Sequence, residues 1–251
     1  MAYTGSKYVE DDFLNIARGI VKGASSNHKF GAVPAMSNNN FGTVWDINDT
    51  LYPWTALDTP AVVNVERNDV ADEGFVVTVQ GLDSSYNFQS ENITISGTDT
   101  LGTKLFRRVN RVFCTHNGDT NTGNINIEAG AAGGTTVARI NAGKGQTLMA
   151  VYTVPAGYNA YLLQGTATCQ IGADATGDMF VRYFGQDTFR VGHSFEVSGS
   201  GGQYFYKFGV PIRIPQKSDI DVRAAVRSNN ARITASFDVI LMEKTQDRAA
   251  R

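Results

Sequence analysis

The sequence is poor in the residues that mark charged, disulfide-bonded or membrane-spanning proteins. Asp, Glu, Lys and Arg make up 18% of its 251 residues, and the formal net charge at pH 7 is −2. This balance does not favour electrostatic binding to nucleic acid or to a membrane surface. No apolar run reaches the roughly 18 residues of a membrane-spanning helix. The first residues also lack the basic and apolar pattern of a secretory signal. We therefore expect a protein that stays in solution, with neither nucleic acid nor a membrane as its partner.

Cysteine is scarce as well, because only Cys114 and Cys169 are present, in the strand-like runs RVFCT and ATCQI. Two cysteines are too few for a disulfide framework. One interpretation is a pair of small buried hydrophobic side chains. The alternative is a disulfide, which requires the two sheets that carry the cysteines to touch.

Residues that commonly perform catalysis or bind metals are sparse. The three histidines, His28, His116 and His193, lie far apart, with no other ligand type at metal-binding spacing. In NAGKGQT (141–147) the lysine is followed by glycine, whereas a phosphate-binding loop requires Ser or Thr at that position. The sequence contains no G-x-S-x-G motif. No pair of carboxylates stands out as an acid–base pair, so we predict neither an enzyme nor a bound cofactor.

One loop, NGDTNTGNINIE (117–128), resembles a calcium loop in part. Oxygen-bearing side chains stand at its first, third and fifth places, and Glu128 stands at the twelfth. The glycine required at the sixth place is replaced by Thr122, and no helices are predicted on either side. A polar hairpin loop is the preferred interpretation and we predict no metal, with calcium as the alternative.

What the sequence does contain favours β-structure. Glycine is abundant, with 26 residues, and short runs that alternate apolar and polar side chains follow one another along the chain. Between residues 59 and 143 the spacing of these runs is typical of a β-sandwich. The seven or eight runs between 144 and 243 suit a jelly roll or a related sandwich. We therefore predict an all-β protein with two antiparallel β-sandwich domains and a tail at 244–251. VYTVPAGYNAYLL (151–163) is the predicted corner between the first two strands of the second domain.

Residues 1–58 differ in texture from the rest of the chain. One short helix is predicted in EDDFLNIARGIVKG (10–23), which has apolar residues at helical spacing. The remainder has no sustained period yet is rich in aromatic residues, unlike a disordered linker. We interpret the segment as an extended arm that docks on another surface. Its candidate assembly residues are Phe13, Ile16, Phe30, Phe41, Trp45 and Trp54.

The second domain also carries charged residues on predicted outward strand positions. Arg223, Arg227 and Arg232 have Asp221 and Asp238 as possible partners. Pairing between subunits is one interpretation. A solvated surface is the other, since exposed ion pairs contribute only about 0–1 kcal/mol.

Two segments carry a resemblance to a known family. They are GFVVTVQGLDSSYNFQSENITISGTDTLGTKLFRRVNRVFC and GQTLMAVYTVPAGYNAYLL, the latter continued by VPIRIPQKSDIDVRAAVRSNN. With NIARGIVKG and NHKFGAVP they resemble virion structural proteins of tailed bacteriophages over nearly the whole chain. The resemblance implies a non-enzymatic particle component in the virion, assembled in the host cytoplasm and homotrimeric. It implies no catalytic residue.

Three functions remain open at this point. The first is a capsid decoration, or cement, protein that contacts the major capsid protein or its neighbours. The second is a tail fibre, knob or adaptor-type protein whose outer domain binds a host receptor or glycan. The third, a carbohydrate-active enzyme on a β-sandwich, is disfavoured because no acid–base pair is apparent.

Overall fold

The computed structural model describes residues 12–37, 41–47, 49–115, 118–227 and 230–245. Within these ranges the chain forms one short α-helix, α1 (Asp12–Ala17), two 3-10 helices (Trp54–Leu57 and Val70–Asp72) and antiparallel strands that make four sheets. The strands are β1 (Ala24–Met36), β2 (Gly42–Thr43), β3 (Val63–Arg67), β4 (Val76–Leu82), β5 (Phe88–Thr94), β6 (Asp99–Leu101), β7 (Arg108–Thr115), β8 (Ile125–Ala129), β9 (Thr135–Ile140), β10 (Val151–Thr153), β11 (Tyr158–Cys169), β12 (Ala175–Arg182), β13 (Arg190–Val197), β14 (Gln203–Ile214), β15 (Asp219–Val226) and β16 (Ala231–Glu243). The predicted all-β fold with antiparallel sheets and one short helix is confirmed.

Eight of the strands form a jelly roll. One sheet, here called the first sheet, has the order β1-β16-β11-β14, and the second sheet has the order β10-β15-β12-β13. Consecutive strands of the jelly roll lie in different sheets, except β12 and β13, which are neighbours in the second sheet. This is the connectivity of a pair of Greek keys. The inward side chains of both sheets form one apolar cluster, which includes Leu162, Ile220 and Phe237.

A second sandwich is inserted between the first two strands of the jelly roll. Its sheets have the orders β6-β3-β8-β9 and β5-β4-β7, and they enclose their own apolar cluster. The jelly roll is therefore discontinuous in sequence. Its first strand, β1, comes from a segment that the sequence analysis assigned to the arm.

The arm interpretation is wrong for β1. This strand pairs antiparallel with β16 from Ala24 opposite Met242 to Val33 opposite Ile233. A Cβ atom on Gly31 would lie 2.1 Å from the Val44 carbonyl oxygen, so only glycine fits there. Regular alternation is hard to see in ASSNHKFGAVPAM because that glycine and a bulge after Val33 interrupt it.

The arm interpretation also fails for residues 41–58. Trp45 and Trp54, predicted to dock on a partner, are only 2% and 7% exposed. They lie in the core of the inserted sandwich on either side of Tyr52, with ring centroids 5.2 and 4.7 Å from it. Val44 lies in the jelly-roll core. This segment therefore joins the two sandwiches, and its aromatic side chains are buried inside the chain itself.

The corner at 151–163 lies between β10 and β11, and Gly157 has a positive φ of 82°. Because β1 is the first strand of the jelly roll, the corner joins its second and third strands rather than its first two. The helix is shorter than predicted, since α1 ends at Ala17 and Gly19 has a φ of 70°. Among the described residues, no helix is long and apolar enough to cross a membrane.

Candidate assembly surface and the junction between the sandwiches

The inserted sandwich and the segment before it cover the part of the second sheet's outer face around β10 and β15, and two carboxylates lie in this junction. Asp219 and Asp221 are 3% and 0% exposed. Asp221 was predicted at an outward, solvent-facing strand position, and this prediction is wrong. On β15 the polar residues do alternate with Ile220 and Val222, but the polar face packs against a second folded unit instead of water.

Asp219 lies between two arginines. Its Oδ1 accepts a hydrogen bond from Arg108 Nε at 3.2 Å and one from the Thr153 hydroxyl at 2.6 Å. Its Oδ2 accepts from Arg182 Nη2 at 2.6 Å. Arg108 also contacts the half-exposed Asp58 at 3.1 Å. A buried carboxylate is tolerated when it is paired and hydrogen-bonded in this way.

Asp221 is held by three donors from three parts of the chain. Trp54 Nε1, the Thr43 hydroxyl and Arg223 Nε each donate to its carboxylate at 2.9 Å. Burial nevertheless raises the pKa of Asp221, and the Arg223 guanidinium opposes that rise. Arg223 therefore pairs within its own chain, and pairing between subunits stays a prediction.

The junction also contains contacts between arginine guanidinium groups and aromatic rings. The guanidinium carbons of Arg182 and Arg223 lie 4.9 and 4.7 Å from the ring centroid of Phe189. Arg223 also lies 4.5 Å from the ring of Phe180, and the rings of Trp54 and Phe189 are 5.5 Å apart. Such contacts strengthen when they are desolvated. We interpret the junction as structural, because its charges and rings contact one another.

The outer face of the first sheet is open. Pairing places Phe30 of β1, Ser236 of β16, Thr166 of β11 and Phe205 of β14 in one row across it. The Thr166 and Ser236 hydroxyls lie 2.6 Å apart. Phe205 is 56% exposed. Two aromatic side chains therefore flank a strip of hydroxyl groups, and no element among the described residues covers this face at Phe205.

The apolar surface continues around the edge strand β14. A groove of about 350 Å³ lies there, lined in part by Phe13 of α1, Leu163 of β11, Phe208 and Pro211. Val210, in the segment where β14 departs from its pairing with β11, is 83% exposed. A bulge and a proline disfavour addition of another strand along such an edge. A partner would therefore contact this region through side chains.

We call this surface the open face. It is defined by Phe13, Phe30 and Phe205 at the outer face of the first sheet and by Phe208 and Val210 on the edge strand, where Phe208 also packs partly against the jelly-roll core. Phe13 and Phe30 were predicted as assembly residues, and the structure brings them to the same side of the jelly roll. The other three were missed because QYFYKFGVPIRI alternates like a core strand. The proline in that run was a usable signal, since proline within a strand indicates an edge.

The remaining predicted assembly residues are scattered. Ile16 is half-buried in α1. Phe41 is 39% exposed, and its ring centroid lies 6.0 Å from that of Phe180 on the second sheet. Trp45 and Trp54 lie in the core, as described above. The assembly role of Phe13, Ile16, Phe30 and Phe41 stays a prediction.

The described part of the loop at 117–128 uses its polar side chains internally. Asn121 is buried and donates to the Gly123 carbonyl at 2.7 Å, while its Oδ1 accepts from Gly145 N at 2.9 Å. Glu128 accepts from Asn64 Nδ2 at 3.0 Å. The first place, Asn117, lies outside the described residues. Among the residues that the structure describes, no group of three or more His, Cys, Asp or Glu side chains could hold a metal ion.

The histidines and cysteines lie apart from one another. His28 pairs with Asp238, His193 contacts the Tyr204 hydroxyl, and His116 lies outside the described ranges. Cys114 belongs to the core of the inserted sandwich, whereas Cys169 packs against the jelly-roll core. Both are free thiols, so the disulfide alternative is wrong. Burial raises the pKa of each thiol.

No protein-family model matches this sequence, and no curated protein matches it. Two solved structures of infectious bursal disease virus show a weak similarity. The structure of the Gx strain has 10% sequence identity and a TM-score of 0.23, covering 88% of this chain and 71% of that chain. The D431N mutant VP2 protein, in derived T=1 particles, has 10% identity and a TM-score of 0.21, covering 94% of this chain and 76% of that chain. TM-scores this low carry no argument about function.

Proposed function

We propose that this chain is a non-enzymatic structural component of a bacteriophage particle, and specifically a decoration, or cement, protein of the capsid. In this proposal the chain assembles as a trimer, contacts the major capsid protein or its neighbours, and coats or stabilises the shell. The sequence resemblance to virion proteins of tailed bacteriophages supports the particle and the trimer. Jelly rolls occur in viral capsid proteins, but also in lectins and cupins, so the topology alone does not select among functions.

The observation that carries the proposal is the open face. Phe13, Phe205 and Val210 expose 54%, 56% and 83% of their surface on one side of the jelly roll. Clustered apolar groups on a protein surface mark sites of interaction, and aromatic side chains dominate interface energies where they fill pockets. The hydroxyl strip between Phe30 and Phe205 supplies polar groups for the rim of such a contact.

The junction supports the same proposal from the other side of the molecule. Its buried ion pair between Arg108 and Asp219 links the two sandwiches within one chain, so this part of the second sheet is already occupied. The open face carries exposed apolar side chains that a partner would cover. Closed assemblies of identical subunits use such a patch repeatedly around a symmetry axis.

The direct experiment is the copy number of this chain relative to the major capsid protein in purified particles. A decoration protein is expected in hundreds of copies per particle, as the family resemblance implies. A few copies per particle would contradict the decoration role and favour a tail component. Particles that lack the chain altogether would contradict a virion role of either kind.

A further inference from the structure

A cleft lies where the jelly roll meets the inserted sandwich, and residues of both line it. It has a volume of about 430 Å³, within the range of small-molecule sites. Strands β1 and β10 form one wall, and β4, β5 and β7 form the other. The side chains relevant here are Asn27, Lys29, Gln80, Phe88, Gln89 and Arg111.

Lys29 is the unusual group in this cleft. Its side chain is inside the protein, with 6% of the residue exposed, and its ammonium donates to the Asn110 carbonyl. An ammonium group has three donors, and a buried charge requires pairing. Burial, followed by repulsion from Arg111, lowers the pKa of Lys29 to about 7, although Asp46 opposes the change.

The acidic groups nearest the cleft already have hydrogen-bond or ion-pair partners. Asp46 does not line it, and its carboxylate accepts from Leu148 N at 2.5 Å and from Asn141 Nδ2 at 3.1 Å. Asp238 pairs with His28 at the rim. Arg111 donates to Gln146 at 2.6 Å but stays exposed at the mouth. Among the described residues, the lining of the cleft therefore carries positive charge and contains no carboxylate.

We propose that this cleft binds an acidic sugar, with Lys29 and Arg111 facing its carboxylate. Charge-assisted hydrogen bonds of this kind are about twice as strong as neutral ones. The amides of Asn27 and Gln80 both donate and accept, which suits sugar hydroxyls. Gln89 donates to the Leu105 carbonyl at 2.6 Å, and its own carbonyl oxygen is an acceptor. Phe88, 54% exposed, offers an apolar ring at the mouth. The inference does not depend on the proposed particle role.

Binding of a carboxylate to this cleft is coupled to a proton. The carboxylate pairs with the protonated form of Lys29, so its binding raises the pKa of that group and draws a proton from the buffer near pH 7–8. Two charged groups face Lys29, namely Arg111 on β7 and Asp46, which precedes β3. The charge of Arg139 on β9 in turn lowers the pKa of Asp46 and so opposes the effect of burial. Affinity is expected to fall as the pH rises from 6 to 9, because Lys29 loses its charge.

The test is titration calorimetry of the full chain with D-glucuronate, with D-glucose as the neutral control, in buffers of different ionisation enthalpy. Glucuronate should bind with proton uptake at pH 7.5, and glucose should give no saturable heat. Lys29→Met should weaken glucuronate binding about tenfold or more, as expected for loss of a charge-assisted bond. Lys144→Met, on an exposed loop, is the matched control and should bind like the wild type.

Three results would overturn the proposal. One is the absence of saturable binding by glucuronate at pH 6, and another is equal affinity of the Lys29→Met and Lys144→Met variants. The third is binding of an acidic peptide, such as a short Glu-containing sequence, without binding of glucuronate, which would make the cleft a protein contact. If Lys29→Met does not fold, Arg111→Gln at the exposed mouth serves in its place and is expected to weaken glucuronate binding several-fold.

Discussion

In two segments of the chain, 41–58 and 203–214, the structure reverses what their sequences suggest about burial and exposure. The first segment has no strand periodicity, yet it places Trp45 and Trp54 in a core and joins the two sandwiches. The second alternates like a core strand, yet Phe205 and Val210 on it are exposed. An aromatic segment therefore predicts burial against something, but the pattern alone does not say whether the surface belongs to the same chain or to another.

The physical reason for the difference is where the neighbouring surface comes from. Trp54 is buried because β15, far along the chain, presents Asp221 as an acceptor for its indole N–H. Phe205 is exposed because β14 is the last strand of its sheet and, in the part of the chain that the structure describes, no element covers the outer face at that position. Both outcomes depend on contacts between distant parts of the sequence.

The largest effect is expected from removing β1. Deleting residues 1–36 takes away the edge strand that pairs with β16, together with Val33 and Met36, which are fully buried. We expect loss of cooperative unfolding in calorimetry or denaturant titration. Deleting residues 1–23 should keep that transition, since Phe13 and Leu14 of α1 are 54% and 42% exposed. A folded, cooperatively unfolding 37–251 fragment would show that β1 is an accessory arm after all.

A related expectation concerns the fragment 144–251, which contains the other jelly-roll strands. Without β1 the first sheet loses its edge strand, and Met36 leaves the core. The fragment should therefore be expanded or aggregated, as measured by near-ultraviolet circular dichroism and light scattering. Adding residues 24–36 as a peptide should partly restore the folded signal. Independent cooperative folding of the fragment would contradict the discontinuous jelly roll.

The next largest effect on the free energy of unfolding is expected from truncating a buried aromatic side chain, and a partly exposed aromatic side chain serves for comparison. Trp54→Ala should lower the free energy of unfolding by about 3–5 kcal/mol, as is usual for a buried tryptophan. Phe41→Ala, at a partly exposed position with one ring contact, should cost less than about 1 kcal/mol. Trp54→Phe removes the hydrogen bond to Asp221 and should cost about 1–3 kcal/mol. Equal costs for Trp54→Ala and Phe41→Ala, in urea titrations, would refute the burial of Trp54.

A smaller effect is a minimum in stability near pH 7, set by two buried groups that lie close together. Burial raises the pKa of Asp46 to about 7, so its neutral form favours folding, and that stability is lost as the pH rises from 4 to 7. The pKa of Lys29 is lowered to about 7, so its contribution is present above pH 10.5 and lost as the pH falls to 7. Asp46→Asn should flatten the acidic limb, and Lys29→Met the basic limb, in urea titrations across pH. A profile that both variants leave unchanged would contradict the burial of these charges.

The all-β class, the antiparallel sheets and most strands after residue 60 could be predicted from alternation and turn residues. The strand β1 could not, because Gly31 and the bulge after Val33 break its period. The polar face of β15 was wrongly predicted to face solvent. Alternation of polar and apolar residues shows that a strand has two different faces, but it does not show whether the polar face contacts water or another folded unit. Phe13 and Phe30 were found as surface residues through their aromatic and apolar character, whereas Val210 required knowledge that β14 is an edge strand.

The smallest effect on folding is expected on the open face. Phe205→Ser and Val210→Ser remove exposed side chains, so each should change the free energy of unfolding of the separated chain by less than about 0.5 kcal/mol. Measurement in urea at low protein concentration checks this expectation. A cost of several kcal/mol for either variant under these conditions would show that the face is part of the core.

The central claim is that the open face, and not residues 41–58, holds the chain in its assembly. Sedimentation equilibrium of the purified full chain tests it most directly, comparing the wild type with a Phe205→Ser, Val210→Ser double variant and with Phe41→Ala as control. The wild type and Phe41→Ala should sediment as trimers, and the double variant as a monomer with an unchanged spectrum. A double variant that remains trimeric, or a wild type that stays monomeric at high concentration, would contradict the account.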